Sequence, residues 1–117
     1  VPRVIEAPTR IPVPGGKATG EYVGRVTTGT ESVSVAHMVA PAGWEEPAQT
    51  PEFDEITVVL KGTVLVEHDG GTLAVHAGQA VITAAGERVR YSTSTEGAEY
   101  VAVCLPAFGP DLVNRED

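Results

Sequence analysis

The 117-residue chain carries 8 basic and 16 acidic side chains, a net charge of −8, and is 42% hydrophobic. That length suits one domain with one core, and a charged fraction of 21% is ordinary for a folded chain. The basic residues are scattered, so the chain repels nucleic acid and anionic membrane surfaces, and neither is expected as a partner.

The first nineteen residues hold four of the nine prolines. Proline fixes φ and removes a backbone donor, so residues 1–20 read as an extended arm ahead of a domain spanning 21–117. Such an arm lies along a sheet edge, its own or a neighbour's.

From residue 21 the text reads as eight short strands: "EYVGRVTT", "SVSVAHMVA", "EITVVL", "TVLVEH", "TLAVH", "AVIT", "RVRYST" and "AEYVAVCL". Turn signals separate them, and "DGG" between "VEH" and "TLAVH" supplies the positive φ that a tight hairpin needs. Short strands at this spacing, with no amphipathic helical segment, predict an all-β sandwich or barrel. The tail "PDLVNRED" and the pair Glu45 and Glu46 read as solvated surface, and His68 and His76 as surface histidines.

"EITVVL" sets Glu55, Thr57 and Val59 on one face and Ile56, Val58 and Leu60 on the other. A sheet with a wet side alternates apolar and polar residues, so the second face is expected to be covered, with a homodimer as the leading candidate. The single cysteine, Cys104, excludes an intrachain disulfide and a CxxC zinc site, and within "YVAVCLP" it reads as a small buried hydrophobe. No secretory leader pattern and no apolar run of membrane-spanning length occurs, and a cytoplasmic protein is the expectation.

Two spaced patterns carry more. The first is Gly43, five residues, Gln49, one residue, Pro51, three residues, Glu55, six residues, Gly62. The second is Gly78, five residues, Ala84, one residue, Gly86, two residues, Val89, three residues, Thr93. Together they resemble the two conserved motifs of the cupin family, over roughly residues 22–106, and "PAFGPD" is similar to a segment that a subgroup of small cupins carries after its last strand. The resemblance implies a double-stranded β-helix, the cupin jelly-roll barrel. Many cupins hold Fe, Mn, Ni or Zn within the barrel, and others bind or transform small molecules without metal. Here the family's histidine places hold Gln49, Pro51 and Val89, and only the carboxylate place is kept, as Glu55. Proline and valine cannot ligate and an amide oxygen is a weak, hard ligand, so no cofactor is expected; a divalent metal at Glu55 would need ligands from elsewhere, His37 first.

In such a barrel, period-two parity points residues 49 to 59 inward at every odd position, with Val89, Tyr91 and Thr93. The same rule on "SVSVAHMV" puts His37 inside with the valines. The expected site is an apolar pocket with a few convergent polar groups. Glu55 is the acid–base group, with His37 as a proton relay and Tyr91 as a donor to a developing oxyanion. Gln49 would orient substrate, Trp44 and Phe53 would wall the mouth, and Thr57 and Val89 would complete the binding surface. The expected function is binding of a small molecule, with metal-independent isomerase, lyase or cyclase chemistry leading over a non-catalytic ligand module and over an atypical Glu/Gln/His metal centre. The alternative for Glu55 is a hydrated rim residue paired with Arg25.

Overall fold

A computed structural model describes residues 1–116. These residues fold as seven antiparallel strands: β1 (Thr9–Ile11), β2 (Ala18–Val23), β3 (Ser34–Ala40), β4 (Asp54–His68), β5 (Gly71–His76), β6 (Ala80–Thr83) and β7 (Arg90–Leu105). They are hydrogen-bonded in the order β1-β2-β3-β7-β4-β5, with β6 on β4. The architecture is that of an all-β jelly roll. Its one helical segment among the described residues is a 3-10 turn at Pro14–Gly16, and no helix is long and apolar enough to cross a membrane.

The eight expected strands become six because two pairs fuse, and β1, in the arm, makes the seventh. "EITVVL" and "TVLVEH" are one strand, β4, bent at Gly62, and "RVRYST" and "AEYVAVCL" are one strand, β7, bent at Gly97. The first half of β4 pairs with β6 and the far half of β7, and the second half pairs with β5 and the near half of β7. Gly62 has φ +74° and Gly97 φ +70°, and a Cβ on Gly62 would stand 2.1 Å from the Gly97 carbonyl oxygen. Only glycine permits this close crossing, which folds the sheet over on itself.

"EYVGRVTT" is strand only as far as Val23. The Glu21 carboxylate then accepts from the backbone N–H of Val26 (3.2 Å) and Thr27 (2.8 Å) and from the Thr27 hydroxyl (2.9 Å), which closes the following residues into a turn. The arm lies along an edge of its own sheet: β1 pairs with β2 of the same chain, Arg10 opposite Gly20.

Burial follows two clusters. One packs Trp44, Val59, Val64, Val66, Val89 and Tyr100. The other packs Phe53, Cys104 and Val113, with Phe108 edge-on to Phe53 at a centroid distance of 6.0 Å. A cavity of about 60 Å³ lies against members of both.

Candidate functional site

The inner faces of β2, β3, β4 and β7 line the cavity, and the arm and the C-terminal tail close its remaining side. From β4 come Glu55 and Thr57, preceded by Phe53 and Gln49; from β7 come Tyr91, Tyr100, Ala102 and Cys104. Odd positions from 49 therefore do turn inward, as period two requires.

Glu55 retains some surface toward the cavity, but its carboxyl Oε1 is buried and has no hydrogen-bond partner. Burial pushes its pKa up to about 7, and the charge of Glu46 adds to that, against the Tyr91 hydroxyl, Lys17 and Arg115. The pairing with Arg25 does not form: Arg25 Nε donates to the Ala107 carbonyl at 3.3 Å. The Tyr91 and Thr83 hydroxyls share a buried 3.0 Å hydrogen bond, and burial raises the Tyr91 pKa, so the phenol stays neutral. Gln49 is 4% exposed, and its side-chain oxygen also lacks a partner.

Four charged residues at the cavity were not among the expected site residues: Lys17, Glu21, Glu46 and Arg115. Lys17, from the arm, lies over the Trp44 ring at 4.5 Å and 3.4 Å from the Tyr100 hydroxyl, to which it donates. Glu46 Oε2 is 3.9 Å from Lys17 Nζ and 3.7 Å from Arg115 Nη2. Burial lowers the Lys17 pKa and raises that of Glu46, each partly offset by the charge of the other. Glu46 is thus a buried wall residue rather than solvated charge. The tail, too, is partly inside: Val113 is buried, Arg115 reaches the cavity, and the backbones of Gln49 and Arg115 pair in an isolated bridge. Asp117 lies outside the described residues.

His37 is a correction. It points to the outer face of β3, where Nε2 meets Glu99 Oε2 at 2.8 Å. Ser34, Ala36 and Met38 line the cavity instead. The valines of this strand cover an outer face that is itself apolar, so sharing their parity does not place a residue inside. Trp44 and Val89 are corrected as well. Both are buried, at 4% and 2%, in the first cluster, and neither lines the cavity. Phe53 and Thr57 do line it. Cys104 is buried at the cavity wall and its thiol is held protonated by burial. His68 and His76 sit in exposed hairpin contacts, with Gly70 N–H and the Thr63 hydroxyl.

The family model for the Cupin domain matches residues 36–104. The chain belongs to the cupin family. It is 46% identical over 107 residues to a Myxococcus xanthus protein named Endoribonuclease YbeY, a match covering 91% of this chain and 36% of that protein. This cupin therefore spans little more than a third of that relative. Among solved structures, an RmlC-like cupin from Shewanella frigidimarina superposes with a TM-score of 0.75 at 14% identity, covering 94% of each chain. A Streptomyces PAC13 variant with uridine gives 0.77 at 16% identity, covering 97% of this chain and 88% of that one. At these identities the likeness is one of fold.

The donor set does not fit the transition metal of many cupins. Pro51 and Val89 have no donor atom, Gln49 offers an amide, and His37 is on the other side of the sheet. Among the described residues no group of three or more His, Cys, Asp or Glu side chains is placed to hold a metal ion.

Proposed function

We propose that this cupin binds a small organic molecule in its barrel cavity and moves a proton on it with Glu55, without a metal, as an isomerase, lyase or cyclase does. The observation that carries the reading is the Glu55 carboxyl: it faces the cavity, its Oε1 is buried and unpartnered, and its pKa lies about 7. A carboxyl with that pKa is both available as acid and, once ionised, a competent base near neutral pH. Tyr91, neutral and beside it, is placed to donate to an oxygen that gains charge as the proton leaves. Phe53, Met38 and Phe108 supply the apolar wall. The small cavity and the net charge of −8 support a small molecule rather than a polynucleotide as ligand.

Proton transfer is read directly as exchange. Pools of small carbonyl compounds and sugars incubated in D2O with the protein lose specific C–H signals in the proton NMR spectrum, and Glu55→Gln abolishes the loss while keeping ligand binding. Exchange that survives in Glu55→Gln refutes the assignment, and ligand binding with no exchange in either protein makes the barrel a binding module.

We infer further that two copies of the chain pair through the outer sheet face. Ile82, Ile56, Val103, Val35 and Val23 form one apolar row across five strands, and Val58, Leu60 and Leu105 remain exposed beside it. On a chain so acidic, a face whose Glu99 is already paired with His37 and Lys61 is where a second copy meets least repulsion.

A further inference from the structure

Several polar atoms of the cavity have no partner within the protein, and apart from the Thr19 hydroxyl they fall into two sets. The first set is cationic. Arg115 Nε is a buried donor with no partner. Lys17 Nζ has one long hydrogen bond, 3.4 Å to the Tyr100 hydroxyl. Glu46 Oε2 lies between the two cations at 3.9 and 3.7 Å, beyond hydrogen-bond distance of either. It balances charge without occupying the donors. Glu21, a further carboxylate on the wall, is committed to the turn it closes, through Val26 and Thr27.

The second set is made of acceptors. Gln49 Oε1 and Glu55 Oε1 are both buried and both without a donor. Gln49 and Arg115 are backbone neighbours across their bridge, so the two sets adjoin. A buried donor or acceptor without a partner is costly, and a ligand that supplies the partner recovers that cost.

We propose that the ligand is a short-chain carboxylic acid that also carries a hydroxyl or amine. Its carboxylate lies against Lys17 and Arg115, and its donor group faces Gln49 and Glu55. The guanidinium fork suits a carboxylate, which it can hold through two parallel bonds. A neutral polyol offers the open donors of Lys17 and Arg115 no charged acceptor. A molecule with acceptors only, such as a plain diacid, turns its oxygens toward Gln49 Oε1 and Glu55. A hydrocarbon satisfies neither set. The cavity, about 60 Å³, sets the limit on chain length. The proposal rests on the cavity being the ligand site, as argued above.

Calorimetric titration of the whole chain tests it with lactate, glycerate and tartrate, their amides, and the hydroxyl-free acids propionate and succinate. At least one hydroxy acid is expected to bind about tenfold or more tightly than both its amide and its hydroxyl-free counterpart, the loss typical of one unmade bond to a charged or buried group. Arg115→Gln is expected to erase the preference over the amide, and Gln49→Met the preference over the hydroxyl-free acid. The ligand-side comparison needs no variant and stands even if one of these fails to fold. An amide or a hydroxyl-free acid that binds as well as the hydroxy acid overturns the proposal, as does failure of all three hydroxy acids to bind. Hydroxy-acid binding without proton exchange refutes only the role of Glu55 and leaves the ligand class standing.

Discussion

Gln49 and Val89 exchange both of their backbone hydrogen bonds, 2.9 Å in each direction. They are two of the three places where the family's motifs carry histidine, so the barrel still holds those places face to face. What has changed is the side chains: an amide on one and an isopropyl group on the other. Restoring imidazoles should then restore a metal. The variant Gln49→His, Pro51→His, Val89→His, with Glu55 kept, is expected to take up about one equivalent of a divalent transition metal. Absorption spectroscopy with Co²⁺ reads the site, and addition of Glu55→Ala should weaken it.

The raised pKa of Glu55 makes stability depend on pH. In the unfolded chain the carboxyl ionises near 4.5, and in the folded chain near 7. The folded state therefore binds the proton more tightly. Its contribution is fully present below pH 4.5 and is lost as pH rises through 7. Glu55→Gln cannot ionise, so it should match the wild type near pH 4 and exceed it above pH 7, by up to about 3 kcal/mol. Urea denaturation at pH 4, 6 and 8 measures the difference. A gap that does not grow with pH contradicts the burial of this carboxyl.

Glu46 lies close to two cations in the cavity wall, and removing it alone leaves them buried with less compensation. Glu46→Gln is expected to destabilise by about 3 kcal/mol, the usual cost of breaking a buried ion pair. In Lys17→Met combined with Glu46→Gln, much of the loss should return, because the uncompensated lysine charge is removed with its partner. A double-mutant cycle of denaturation energies supplies the coupling directly.

Ile82 is 74% exposed at the edge of the outer apolar row. Ile82→Glu should leave the fold and the cavity intact and halve the mass seen by light scattering, if the row is where two copies meet. A wild type that already runs as one chain at micromolar concentration speaks against the pairing.

The β pattern and the inward parity around Glu55 were legible because both follow from local chemistry: alternation along a strand, glycine at turns, and a motif that keeps its carboxylate. Lys17, Glu46 and Arg115 were not. They come from the arm, the segment before β4 and the tail, and only the fold brings these three together; a lysine among prolines and a glutamate beside another look solvated in sequence. His37 failed for a different reason. Parity separates two faces of a strand but does not say which is inside when both are apolar, and on β3 the outer face carries Val35 and Val39 while Ala36 and Met38 meet the cavity. Val89 points inward as parity requires but, like Trp44, packs into the core beside the cavity.

The most direct test of the central claim is elemental analysis of tag-free protein never exposed to chelator, with Glu55→Ala prepared alongside. If Glu55 is a free acid–base carboxyl, both proteins carry the same background of metal. A near-stoichiometric metal in the wild type that disappears in Glu55→Ala would make Glu55 a ligand and contradict the account.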